Sequence, residues 1–96
     1  MKSLLIPIAF DWDIGNIEKN WDKHKVDAKE AEEVFFNKRL KLFPDKKHSS
    51  KEQRYAALGV TNLRRKLTII FTIREQRIRI ISARNQSNKE RKQYEK

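Results

Sequence analysis

Arg77, Arg79, Arg84 and Arg91 all fall within the last twenty residues, "RIRIISARNQSNKERKQYEK". The first three sit in a hydrophobic run that reads as a strand, and the fourth in a basic run that reads as a helix. A guanidinium is a permanently charged planar fork that grips phosphate oxygens in pairs. Such residues suit the binding of a polyanion, and chemistry at a phosphodiester if there is any. Were the polyanion an RNA to be cut without a metal, its own 2′-OH would attack the adjacent phosphorus. A protein assists by removing that proton, stabilising the phosphorane charge and protonating the leaving 5′ oxygen. Arg79 and Arg84 are the candidates for the charge stabilisation, and Arg54 and Arg91, on neighbouring elements, can converge with them on one phosphate. Strand parity sets a condition: Arg77 and Arg79 share a face, while Arg84 has the opposite parity unless a bulge or the strand end re-aims it.

Arginine does not titrate in a useful range, so the acid and base must come from elsewhere. His48, Glu52, Tyr94 and His24 are the candidates. Each has a plainer role available. His24 falls where a helix should end, a place that suits a cation; His48 can be a solvated loop residue, Glu52 an ion-pair partner, and Tyr94 a residue packed over the core or stacked on a base. Lys46, Lys47 and Lys51 surround His48 in a polar loop and, with Arg54, Arg77 and Arg91, are the expected RNA-binding cations. Two isolated histidines and dispersed carboxylates show no metal-ligand spacing, and no glycine-rich phosphate loop is present, so neither metal nor cofactor is expected.

These side chains need a scaffold. Residues 5 to 11 read as a short strand, and Asp13 can cap a helix carrying Ile14, Ile17 and Trp21 at helical spacing to about His24. That spacing predicts that Trp21 is core, although Trp12 and Trp21 are both able to stack on bases. Phe35, Phe36 and Phe43 are further core candidates, one of them available to a partner. Asp27 with Glu30 has capping-box spacing and opens a second helix with Ala31, Val34 and Phe35 on its apolar face. "NKRLKLFP" alternates, "DKKHSSKE" is a loop, and "QRYAALGVT", "KLTIIFTI" and "RIRIISAR" form three strands joined by the short connections "NLRR" and "REQ". Ser87 with Glu90 is a capping box for a final helix from about Asn88. The expected architecture is α+β: a small antiparallel meander with N-terminal helices, a C-terminal helix and a helix layer on one sheet face.

The chain has 96 residues and reads as one domain, 1–96, burying roughly 60–65% of its unfolded surface. Its net charge of +10 is uneven: residues 1–36 hold five Lys/Arg and eight Asp/Glu, and residues 37–96 hold eighteen and five. A basic segment of this kind favours a polyanionic partner, because neutralised phosphates release counterions. No cysteine is present, which excludes a disulfide framework and suits a cytoplasmic protein. "SLLIPIAF" is too short to span a bilayer and lacks the marks of a targeting segment, so no membrane association is expected.

The ordered motifs "FDWD", "N-x-x-K-H-x-V" at Asn20–Val26, "FPD-x-x-HS" at Phe43–Ser49, "EQRYAALG" at 52–59 and "RIRIISAR" followed by "ERKQYE" resemble the BrnT toxin family of bacterial toxin–antitoxin systems. The resemblance covers nearly the whole chain; Lys25 stands where many relatives carry Gly, and Gln53 where a second Glu is common. It implies a RelE-like fold, ribonuclease activity that arrests translation, and neutralisation by a DNA-binding antitoxin that represses the shared operon. The implied antitoxin is of the ribbon-helix-helix type, in a 2:2 complex that contacts operator DNA through the antitoxin. Charge alone favours the other reading, a non-catalytic basic module that binds nucleic acid or an antitoxin within a repressor complex; it is the resemblance that puts the ribonuclease first.

Overall fold

The structure, a computed structural model, describes residues 9–48 and 51–96. The part of the expected first strand before residue 9 lies outside the described residues. Asp13 accepts a hydrogen bond from the amide of Gly15 at 2.7 Å and opens α1, Ile14–His24, directly after the two-residue strand β1, Phe10–Asp11. Lys25 ends α1 in the left-handed region, φ 54°, with its amide shared between the carbonyls of Asn20 and Trp21. Glycine is the usual occupant of such a position, because a Cβ is strained there. Asp27 and Glu30 form the expected reciprocal capping box on α2, Ala28–Glu33.

The chain then builds β2, Lys41–Pro44, a 3-10 turn at Lys46–His48, and the long strands β3, Tyr55–Val60, β4, Lys66–Arg74, and β5, Arg77–Asn85. Glu75 and Gln76 connect β4 to β5 with φ of 52° and 63°, the two positive angles that a tight two-residue hairpin requires. Ser87 and Glu90 cap α3, Asn88–Tyr94, as the S-x-x-E spacing predicts. The sheet order is β1-β5-β4-β3-β2; β2 to β5 are antiparallel neighbours, and β1 joins the outer side of β5 in parallel, Phe10 opposite Ile78 and Asp11 opposite Arg79.

Alternation assigns the two faces. Ala57, Leu67, Ile69, Phe71, Ile78, Ile80 and Ala83 meet Val26, Ala31 and Val34 in the main core. Gly59 lies so close under α2 that an added Cβ would sit 2.7 Å from a methyl of Val34. The opposite face carries α3, whose Glu90 bonds Thr68 and Arg84 and whose Tyr94 is fully buried. Helices therefore cover parts of both faces, which corrects the expected one-sided layer. The reason is the parity of β3 and β4: Leu58 and Thr68 are buried on the face away from α2, and α3 covers them.

The apolar stripe of α1 is also turned partly away from the core: Ile17 is half-buried, but the two ends of the stripe are exposed. Ile14 is 72% and Trp21 48% exposed, whereas Asn20 is buried. Beyond Arg79 the outer edge of β5 has no strand beside it among the described residues, and asparagines of α1 occupy that edge instead. Asn16 Nδ2 donates to the carbonyl of Ile80 at 3.4 Å, and Asn20 Oδ1 accepts from the amide of Ala83 at 3.2 Å. Unpaired backbone groups at a covered edge are costly, so α1 docks by its polar residues and leaves Trp21 outside, with Lys25 Nζ 5.4 Å from its ring centroid.

Candidate RNA-cleaving face

The register of β4 and β5 shifts at one point. Ile70 pairs with Ser82 and Phe71 with Ile80, so Ile81 is an extra residue without a cross-strand partner on β4. A one-residue bulge inverts the parity of everything beyond it. Arg77 opposite Arg74, Arg79 opposite Thr72 and Arg84 opposite Thr68 are thus all on the face that carries α3. The condition that parity imposed on Arg84 is met by a bulge, which lies where the asparagines of α1 bond the strand edge.

Sharing a face does not bring the arginines to one point. The partners of Arg79 and Arg84 are four residues apart on β4, roughly 13 Å along the strand. Arg84 forms a two-pronged pair with Glu90, 2.7 and 2.9 Å. The Arg84 guanidinium, with added bonds from the Ser87 amide and Thr68, holds the Glu90 carboxyl at about 2, and the same pairing raises Arg84. Glu90 is thus an anion at any physiological pH, and much of the Arg84 charge is already compensated. Arg91 is exposed on α3, where it lines a hollow with Arg64, Arg65, Lys66, Asn85 and Glu95 at the end of the sheet marked by the β3–β4 connection. The convergence of Arg54, Arg79, Arg84 and Arg91 on a single phosphate is therefore not what the fold builds.

A denser cluster lies at the opposite end. Arg79 is half-buried, its Nη1 3.1 Å from Asp11 and its Nη2 3.6 Å from Asp13. Arg74, across from Arg77, holds Glu52 at 2.8 Å, a bond that raises its pKa. Thr72, opposite Arg79, donates to the carbonyl of Gln53 at 2.7 Å and ties the 51–54 segment to this end of the sheet. Pairing of Pro44 with Tyr55, and of Tyr55 with Phe71, brings the 45–54 loop to the same end. Exposed Lys46, Lys47 and Lys51 and half-buried Arg54 thus share a neighbourhood with Arg74, Arg77 and Arg79. His48 has its backbone in the 3-10 turn here; its side chain lies outside the described residues, as does the last residue of "FPD-x-x-HS".

Two candidates change role. Tyr94 is 0% exposed, its hydroxyl has no hydrogen-bond partner among the described residues, and Arg39 and Lys41 stand 5.2 and 5.7 Å from its ring centroid. It is the pillar under α3 and does not present itself to RNA: helical spacing from Glu90 directs both residues to the sheet. His24 has its pKa lowered by burial first, then by Arg84, Lys23 and Lys19, the opposite direction from the one a helix-end cation would show.

Asp11, Asp13 and Arg74 join this cluster although the sequence reading names none of them as a candidate site residue. Their signal is present in "FDWD", where two aspartates two apart share one side of an extended chain, and in the Arg that closes the β4 run. No group of three His, Asp or Glu side chains is placed to hold a metal among the described residues.

Over residues 12–90 the chain matches the family described as the ribonuclease toxin, BrnT, of type II toxin-antitoxin systems. Among solved structures it is similar to the Brucella abortus ribonuclease toxin BrnT, a 1.1 Å crystal structure. The two are 28% identical with a TM-score of 0.65, and the match covers 83% of this chain and 97% of the Brucella chain. No curated protein matches it by sequence.

Proposed function

Because the chain belongs to the BrnT family of ribonuclease toxins of type II toxin–antitoxin systems, we propose that it cuts RNA without a metal at the β4–β5 hairpin end of its open sheet face, and thereby inhibits translation in the cytoplasm. The observation that carries this reading is the placement of Arg79: a cation fixed on a strand, beside two other arginines and among carboxylates. Charge stabilisation is large only when its donors are preorganised. Arg79 stabilises the phosphorane: its pairs with Asp11 and Asp13 are longer and made to more exposed carboxylates than the two-pronged pair that engages Arg84, so a phosphate can compete for it. Glu52 and His48 are the base and acid that serve the 2′-OH and the 5′ oxygen, while Arg74 positions Glu52. Arg84, engaged by Glu90, is a positioning residue that fixes the far end of the bulged strand. Lys46, Lys47, Lys51, Arg54 and Arg77 bind flanking phosphates.

The partner is a ribbon-helix-helix antitoxin, whose dimer binds operator DNA and carries one toxin per protomer, giving a 2:2 assembly. An acidic antitoxin segment lies over the arginine face and neutralises it. The deciding experiment is RNA cleavage by substoichiometric protein in EDTA: turnover is expected to persist. If cleavage stops under rigorous chelation and Mg²⁺ or Mn²⁺ restores it, with RNA folding controlled, the metal-free mechanism fails. If the protein only shifts RNA mobility, it is a binding module. Light scattering of the co-purified complex is expected to give the 2:2 mass, and a stable 1:1 complex at micromolar concentration would rule that assembly out.

A further inference from the structure

The end of the sheet far from Arg79 holds a second group of cations that the cleavage chemistry does not use. A hollow of about 580 Å³ is lined by Lys38, Arg39, Arg64, Lys66, Asn37 and Tyr94, among others, with no carboxylate among the described residues of its wall. Arg64 and Lys66 are shared with the neighbouring hollow that Arg91 lines. Glu95, in the wall of that neighbouring hollow, is the one carboxylate of the two walls among the described residues; it pairs with Lys66 and is near enough for Arg39 and Arg91 to lower its pKa further. Lys38, Arg39, Arg64 and Arg91 are exposed and make no ion pair among the described residues.

The cleft is also built. Arg39 and Arg64 both adopt φ of 70°, the left-handed region that normally selects Gly or Asn. Two arginines standing at such strained positions, both lining one hollow, point to a role for their side chains. Arg39 stands over the Tyr94 ring. Asn37 Nδ2 donates to the carbonyl of Val60 and to Asn62 Oδ1, locking the 37–39 segment against the β3–β4 connection. The adjacent Arg65 is not part of this set: its guanidinium is spent on Asn85, Glu30 and the carbonyls of His24 and Lys25.

We propose that this cleft, made by Lys38, Arg39, Arg64 and Lys66 and continued by Arg91, is a second RNA-backbone site that holds the substrate strand away from the point of cleavage. The inference rests on the ribonuclease reading above. Lys66 and Thr72, the residue opposite Arg79, are six residues apart on β4, roughly 20 Å. That is about six phosphates at the 3.4 Å rise of one helical strand, and fewer if the strand is extended. The route between the two ends crosses the outer side of α3, where Lys89 and Lys92 are exposed. A strand of several nucleotides can therefore touch both ends, and a very short one cannot.

The test uses the full chain and 2′-O-methyl RNA, which binds but cannot be cut by its own 2′-OH, in lengths of about 12 and about three nucleotides, within the range and below the range of single-strand site sizes. Fluorescence anisotropy compares wild type with Lys38→Ala/Arg64→Ala, both exposed positions, after circular dichroism and melting confirm the fold. The expected result is a loss of about tenfold in affinity for the long RNA, a salt slope lower by about 1.4 for two lost phosphate contacts, and unchanged affinity for the short RNA. Equal affinity of variant and wild type for the long RNA overturns the second site, and leaves the ribonuclease reading intact if wild type still cleaves. An equal loss on both lengths also overturns it, because it indicates a diffuse field. If a dodecamer of glutamate binds wild type but not the variant while RNA affinity is unaltered, the cleft belongs to an acidic polypeptide instead.

Discussion

Asn20 Oδ1 accepts a hydrogen bond from the amide of Ala83 at 3.2 Å, two residues beyond the extra residue of the β5 bulge. Where no strand among the described residues borders β5, this side chain takes the place of one and holds the register that brings Arg84 to the face of Arg77 and Arg79. Asn20 is buried, and its Nδ2 has no partner among the described residues, so the oxygen carries the interaction.

Asn20→Ala is expected to destabilise the fold by about 1–3 kcal/mol, the cost of leaving a buried amide unsatisfied. That corresponds to a fall in Tm of about 4–8 °C per kcal/mol for a chain of this size. The RNA-cleavage rate should fall as well, with the variant assayed below its Tm. A variant that melts like wild type would show that the bulge is held by other contacts.

Arg79→Ala is expected to lower the single-turnover rate at saturating enzyme by about 10²–10³, the usual cost of one preorganised donor. Lys46→Ala, Lys47→Ala and Lys51→Ala should leave that rate nearly intact and weaken binding evenly across RNA sequences, lowering the salt slope by about 0.7–1 for each phosphate no longer engaged. An Arg79→Ala enzyme that cleaves at the wild-type rate once saturated would make Arg79 a phosphate anchor and move the catalytic burden to His48 and Glu52.

Acid should unfold the protein in a defined window. The Glu90 carboxyl sits at about 2 in the fold against its ordinary 4.5. As pH falls the unfolded chain takes up this proton first, so the stabilisation is complete above about pH 4.5 and is lost on the way down to 2. The loss should be about 2–3 kcal/mol, less than the roughly 3.4 kcal/mol that the whole displacement is worth because solvent screens a partly exposed pair. His24, lowered from 6.5, acts in the same direction and earlier: its unfolded form protonates first as pH falls through 6.5. Urea melts between pH 7 and 2.5 read both effects, and Glu90→Gln should flatten the lower part of the curve.

Lys25→Gly should raise stability by about 0.5–1 kcal/mol. Relief of the left-handed strain, about 1–2 kcal/mol, exceeds the extra chain entropy that glycine loses. The cation–π interaction of Lys25 with Trp21, which the variant forgoes, lies at an exposed position and is small. A lower Tm for this variant would mean that the Lys25 side chain contributes more than its backbone costs.

Much of the scaffold was legible locally. Both capping boxes, the hairpin strands and the C-terminal helix follow from interactions within a few residues, which neighbouring side chains and backbone determine on their own. That Arg77, Arg79 and Arg84 fall on a strand and Arg91 on a helix was legible for the same reason. Three features depended on the assembled sheet. Periodicity identified the Ile14, Ile17 and Trp21 stripe but not its direction, because the exposed edge of β5 demanded hydrogen bonds that Asn16 and Asn20 of α1 supply. Parity placed Arg84 opposite Arg79, and one unpaired residue at Ile81 reversed it. The pairing of Arg79 with Asp11 joins residues 68 apart in the chain through a parallel strand pairing. Local sequence encodes which element forms and which residues carry charge; register and edge satisfaction arise only when strands meet, and they decided which of those charges share a face.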